Sequence, residues 1–429
     1  MSVALLFVAF AILLLIAIPV SISLGITAVL PSVLDPSFTV GAKYLIRAMF
    51  GGLDSFPLLA VPMFVLSGIL MAKGGISKRL FDVFAYFLGK LPAGMPAAVI
   101  VTCLFYGAIS GSGPATVAAV GSMTIPILVN LGYDKVFAAS IVAVAGGLGV
   151  IIPPSIPFIM YGMASGASVS DLFLAGVIPG LLIALLLIGY AVFYCKKNGE
   201  DREKINEEVD ALHAKGLLRV LKESFFALLS PVIILGCIYT GVASPTEAAV
   251  ISVFYALLIS IFVYKSISFK QIPEILVESL RTFAPILFIL AASTAFSRVL
   301  TLLHVPQIVS EAIITNFHSP VTILLVINIF LLIVGMVMDT TPAILILTPI
   351  LLPIIQAIGM DPIQFGVIMV VNLAIGFVTP PIGVNLFVAS SLTDIELMKI
   401  SKKALPMIGL FLVALLLITF VPAISLGLL

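Results

Sequence analysis

Hydroxyl oxygens, one carboxylate and carbonyls freed by proline fall together twice in this chain. That set of neutral and singly charged oxygens suits a hard monovalent cation better than a soft transition metal. Ser110 and Ser112 lie in Gly107-Ala-Ile-Ser-Gly-Ser-Gly-Pro114, and Asp339, Thr340 and Thr341 in Gly335-Met-Val-Met-Asp-Thr-Thr-Pro342. Downstream, Gly149-Val-Ile-Ile-Pro153-Pro154 returns as Gly376-Phe-Val-Thr-Pro380-Pro381, where Thr379 adds a hydroxyl directly before the prolines. Two adjacent prolines remove two amide donors and disfavour helix in the residue before them, so upstream carbonyls lose their partners. Gly149 and Gly376 permit tight packing and unusual dihedrals beside those carbonyls. The two copies lie 227 or 228 residues apart, and Pro126, Gly132 and Asp134 recur at the same spacing as Pro353, Gly359 and Asp361. A repeated pair of Gly/Pro-interrupted apolar segments points to a transporter's binding site at the bilayer midplane.

Asp339 is the acidic residue at the core of these breaks, and an intramembrane carboxylate is costly enough to imply a role. Cation coordination and proton carriage are its two readings. Arg298 could meet a substrate carboxylate or snorkel to the interface. Asn385, beyond Thr379, could hydrogen-bond a substrate, and its counterpart in the first copy is Phe158.

The elements that must position these groups are long and apolar. Of 429 residues 62% are hydrophobic and 10% charged, and mean hydropathy is +1.31. A soluble chain carries about 25% charged residues, so that class is excluded. The net charge of +1 gives no nucleic-acid signal. Cys103, Cys195 and Cys237 stand singly in apolar runs and read as small buried hydrophobes. His213, His304 and His318 are isolated, which argues against zinc or haem. Met1–Val20 has no basic residue before its apolar run and reads as a retained first helix.

The expected fold is all-α and polytopic, with two inverted structural repeats, each holding a re-entrant helical hairpin and a broken helix. The first repeat is placed at 1–195, with its hairpin at about 97–129 and its broken helix at about 135–166. The hydrophilic segment 196–216 is a linker, and its Lys196, Lys197, Arg202 and Lys204 place it in the cytoplasm by the positive-inside rule. The second repeat is placed at 217–429, with its hairpin at about 321–356 and its broken helix at about 362–391. Apolar stretches of about 33 residues in the first copy and about 36 in the second exceed the roughly 20 of one crossing, which is why each is read as two half-length limbs. Irregular backbone at that depth survives only within protein or against a wet cavity. Ser77–Phe87, Leu217–Phe226 and Ile267–Arg281 are amphipathic and read as bracing arms or as interfacial connectors. Ser244-Pro-Thr-Glu247, Ser168–Asp171, Asp361-Pro362 and Thr393–Glu396 read as helix starts, with Glu247 and Glu396 as capping carboxylates.

Taken in order, Ser55–Pro62, Gly107–Thr116, Gly149–Pro154, Ser244–Ala249, Met338–Pro342 and Pro380–Asn385 resemble the large membrane subunit of tripartite ATP-independent periplasmic (TRAP) transporters, over essentially the whole chain. The resemblance implies an elevator-type, sodium-coupled importer of organic acids such as C4-dicarboxylates, sugar acids or sialic acid, and not an enzyme. It implies a small four-helix membrane subunit and a periplasmic substrate-binding protein as partners, and a bacterial inner-membrane location. It also implies about two sodium ions. One would be held by Ser110, Ser112 and the carbonyls of Gly149, Ile152 and Pro154, the other by Asp339, Thr340, Thr341, Gly376 and Thr379. Substrate contacts are assigned to Ser112, Thr116, Ser155 and Asn385. A stand-alone sodium- or proton-coupled symporter is the alternative reading; an intramembrane enzyme lacks paired aspartates or a Ser/His arrangement, and a passive channel would not accumulate its substrate.

Overall fold

A computed structural model describes residues 3–34, 38, 40–317 and 319–429; His318, named above, lies outside them. The described residues are helical with no strand. Nine helical stretches among them are long and apolar enough to cross a membrane. Leu185, Phe193, Phe254 and Phe288 stand more than half exposed on such helices, which a chain facing hydrocarbon tolerates and one facing water does not.

The first repeat opens with α1 (Val3–Leu15), α2 (Val20–Leu34), α3 (Ala42–Leu53), α4 (Ala60–Lys73) and α5 (Ile76–Leu88). A hairpin follows, α6 (Gly94–Ser110) and α7 (Gly113–Asn130), then a broken helix, α8 (Lys135–Ala145) and α9 (Ile156–Ser165), and the long α10 (Val169–Asn198). After α11 (Arg202–Ala214) the order returns with α12 (Leu217–Tyr239), α13 (Pro245–Leu258), α14 (Ile272–Leu302) and α15 (Val305–Asn316). The second hairpin is α16 (Pro320–Val337) and α17 (Thr340–Ala357), and the second broken helix is α18 (Pro362–Gly376) and α19 (Val384–Thr393). The chain closes with α20 (Leu397–Phe420) and α21 (Pro422–Leu426).

Several starts follow from capping. Ser244 and Glu247 form a reciprocal capping box at α13, and the Asp361 and Ser168 side chains accept amides at α18 and α10. Each satisfies donors that a helix start leaves free. Thr393–Glu396 is a correction. Thr393 ends α19 and its hydroxyl donates to Ala389 O, while Glu396 itself occupies the cap of α20 with no side-chain cap bond. Leu217–Phe226 and Ile267–Arg281 are also corrected. The first is the opening of α12, and most of the second is the opening of α14, so these amphipathic turns continue into membrane helices. Only Ser77–Phe87 forms a short helix of its own, α5, entered through Gly75 at φ +69°.

One carboxylate shows that the first hairpin is re-entrant. Glu200 accepts from the Ala93 amide, just before α6, at 3.2 Å, and from the Tyr133 hydroxyl, just after α7, at 2.6 Å. Both ends of the hairpin therefore leave from the same face. Arg202 pairs with Glu200 at 2.6 Å and donates to the Leu91 carbonyl. The linker is thus a docked helix: Ile205, Val209 and Leu212 of α11 are buried, Asp210 pairs with Lys90, and His213 bonds Tyr86 O at 3.0 Å.

Candidate functional site

The first tip is turned by Gly111, whose φ of +61° suits glycine alone. Ser112 follows in extended conformation and caps α7. Its carbonyl accepts from the Thr116 hydroxyl at 2.8 Å and from Ser110 Oγ at 3.3 Å, and those two hydroxyls lie 3.0 Å apart. The first break is pressed against this triad. A Cβ on Gly149 would collide with Thr116 Oγ1 and come within 2.7 Å of Ser112 O, and one on Gly107 would come within 2.7 Å of Gly149 Cα. The Ile156 amide donates to Gly111 O at 3.3 Å. The Ile152 and Pro154 carbonyls are buried and accept no hydrogen bond among the described residues. Buried carbonyls are almost always paired, so these two stand out as spare acceptors, and Pro154 O lies 3.0 Å from where a Cβ on Gly111 would stand.

The second copy repeats the glycine contact. A Cβ on Gly376 would collide with Gly335 O, and it would reach Gly335 Cα at 2.6 Å. The Ile382 amide donates to Met336 O at 3.3 Å, as Ile156 does to Gly111. In both copies the two prolines are joined by a cis bond. Thr340 and Thr341 are buried at the start of α17. Asp339 caps that helix without a side-chain bond and stands exposed at the tip. The Thr379 hydroxyl donates to Ile375 O at 2.8 Å, a carbonyl that also accepts from the Val378 amide at 3.1 Å, so this hydroxyl is tied to its own helix end.

The copies meet. A Cβ on Gly113, at the first tip, would lie 3.1 Å from the Phe377 ring and 3.2 Å from Asn385 Oδ1, both at the second break. Tyr161 of α9 donates to Pro362 O at 2.6 Å, binding the first broken helix to the start of the second.

Of the four assigned substrate contacts, three are fully buried. The Ser155 hydroxyl donates to Val150 O, Thr116 belongs to the triad, and Asn385 Nδ2 donates to Ala143 O at 3.0 Å. The open space lies elsewhere. A cavity of about 1080 Å³ is lined by residues of α3, α9, α14 and α17 and by the start of α13. Arg47 and Arg298 line it with Ser293, Thr294, Ser297 and Thr301, and no carboxylate does. Neither arginine forms an ion pair among the described residues. The cavity also touches the start of α10 (Val169, Ser170), about 45 Å from that helix's linker end at 1.5 Å per residue. It therefore opens on the face opposite the linker. Sequence reasoning weighed Arg298 but missed Arg47, Ser293 and Glu200. A lone arginine in an amphipathic stretch carries no spacing signal, and Glu200 looks like any linker charge.

A family model for the DctM component of tripartite ATP-independent periplasmic transporters matches residues 7–424. The chain belongs to that family. It is 46% identical, over 97% of its length, to the isethionate TRAP permease DctMQ of Oleidesulfovibrio alaskensis, and it spans 64% of that longer chain. It is 40% identical to the C4-dicarboxylate large permease DctM of Pseudomonas aeruginosa, covering 95% of this chain and 93% of that one. It is 34% identical to the sialic acid large permease SiaM of Vibrio cholerae, covering 96% and 95%. Two solved transporters share the fold at a TM-score of 0.63. They are MtrF of Neisseria gonorrhoeae, 14% identical over 93% of both chains, and YdaH of Alcanivorax borkumensis, 17% identical over 99% and 98%.

Proposed function

We propose that this chain is the transport subunit of a sodium-coupled importer of an organic acid anion in a bacterial inner membrane. The observation that carries the reading is the cavity lined by α3, α9, α14 and α17, which holds two guanidinium groups and no carboxylate. A planar guanidinium binds a carboxylate or sulfonate bidentately, and two of them without an ion pair in one cavity favour an anion there. The relatives named above are an isethionate, a C4-dicarboxylate and a sialic acid permease, and each of those compounds is an anion.

Two sodium ions are the proposed drivers, one at each hairpin tip, held by hydroxyls and carbonyls of tip and break. The repeats, 1–195 and 217–429 joined by 196–216, supply one tip each. The glycine contacts make each hairpin one body with its broken helix, and that body slides as an elevator past the other helices lining the cavity. A small four-helix membrane subunit and a periplasmic substrate-binding protein complete the machine.

The test is uptake of radiolabelled organic acids into proteoliposomes holding the chain and its partner subunits, with and without an inward sodium gradient and with and without the binding protein. Concentrative uptake that needs both is expected. Uptake unaffected by replacing external sodium with choline would overturn the coupling. Uptake without the binding protein would make it a stand-alone symporter.

A further inference from the structure

Asn385 is out of place for a substrate contact and well placed for another task. It is fully buried. Its Nδ2 is used, donating to Ala143 O on the first repeat's α8 at 3.0 Å, but its Oδ1 has no partner. That orphaned oxygen points at the first hairpin tip, 3.2 Å from where a Cβ on Gly113 would stand. Gly113 O and Asn385 Nδ2 both face Gly146, at 3.3 and 3.4 Å from its would-be Cβ. The carbonyl of Ser112, the neighbour of Gly113 in the chain, is a further acceptor at the same tip. A buried acceptor without a donor, among other acceptors, calls for a positive partner. An amide oxygen is a hard neutral ligand of the kind a monovalent alkali cation takes.

We propose that Asn385, from the second repeat, supplies an oxygen ligand to the cation held at the first repeat's tip. This rests on the sodium reading above and deepens it. The backbone of Asn385 is set by the second break: its amide donates to Phe377 O at 3.0 Å, and Gly383 turns the chain into α19 at φ +53°. The first cation site is therefore complete only when the second break is in form. The coupling runs one way, because the matched position of the first repeat is Phe158, which offers no oxygen.

The experiment compares Asn385→Ala and Asn385→Asp in the full chain, each first checked for a single gel-filtration peak. Sodium binding is read without substrate as the sodium-dependent rise in Tm, with choline as control. Uptake of whichever acid the wild type carries gives half-saturating sodium and KM separately. Asn385→Ala should raise half-saturating sodium about tenfold while leaving KM at saturating sodium within about twofold, as loss of one ligand worth a hydrogen bond to a charge implies. Asn385→Asp keeps an oxygen but loses the Nδ2 donor, and should keep its sodium response. An Asp variant as impaired as Ala would make the residue a structural tie to Ala143 and overturn the proposal. A raised KM with unchanged sodium dependence would make it a substrate contact instead. A wild type with no sodium response in Tm or uptake would overturn the sodium reading itself.

Discussion

The tightest residue-scale feature of the molecule is a pair of glycine-on-glycine contacts, one in each copy. Gly376 lies so close to Gly335 that an added methyl would collide with backbone, which cannot rotate away as a side chain end can. Gly376→Ala is therefore expected to lower stability by about 1–3 kcal/mol, the usual cost of overpacking, and to abolish uptake. Gly409→Ala, where nothing lies within 4 Å of the new methyl, should leave Tm unchanged or raised, since alanine is the better helix former. Thermal unfolding of both variants in the same detergent checks the contrast, and equal losses would show that the contact is not the cause. These glycines were legible in the sequence because their spacing repeats. The partner of each was not, because the collision depends on how hairpin and break lie together in space.

Among the elements, the linker helix α11 departs furthest from what its composition suggests. Charged and short, it reads as a solvated tether, yet it is clamped on one side by Glu200 and on the other by the Lys90–Asp210 pair. Asp201 is held below the ordinary carboxylate range mainly by the Lys204 backbone amide, and Asp210 by the Lys90 ammonium. Groups with a depressed folded pKa stabilise docking above the unfolded value of about 3.9 and lose that contribution as pH falls through the folded one. Hydrogen-exchange protection factors in 201–214, corrected for the intrinsic pH dependence of amide exchange, should accordingly be flat from neutral pH down to about 5 and fall only below about 4, and loss of protection above that window would contradict the assignment. The hairpins and broken helices were readable because Gly and Pro punctuate apolar runs at depths where nothing else does. Helix boundaries set by packing were not. Thr393 looked like a cap from its spacing to Glu396, and the openings of α12 and α14 looked like interfacial segments because amphipathic turns at a membrane surface read alike whether or not the helix continues inward.

At the scale of the whole molecule, the cavity is shared by α3, α14, α9 and α17, the helices that the proposed elevator would move past one another. Ser297 of α14 and Pro349 of α17 both line it. Cysteines at these two positions, in a background lacking Cys103, Cys195 and Cys237, should be bridged by a bifunctional thiol reagent, with uptake lost on bridging and restored by a cleavable version. Full uptake after complete bridging would mean that these helices do not separate. The arginines of this cavity come from segments about 250 residues apart, Arg47 on α3 and Arg298 on α14, so no local pattern could have paired them. The repeated Gly/Pro breaks carried the fold, and the tertiary arrangement supplied the arginine-lined cavity.

The carboxylate that gathers both ends of the first hairpin has a mechanical corollary. Glu200 bonds Ala93 and Tyr133 together, so spreading the two limbs at their wide end must break charge-assisted hydrogen bonds. A clip fastened in that way parts most readily at its point, the turn around Gly111. If an ion is to leave from that side, the escape route is a small flexing of the tip, while the rest of the hairpin stays shut against leak.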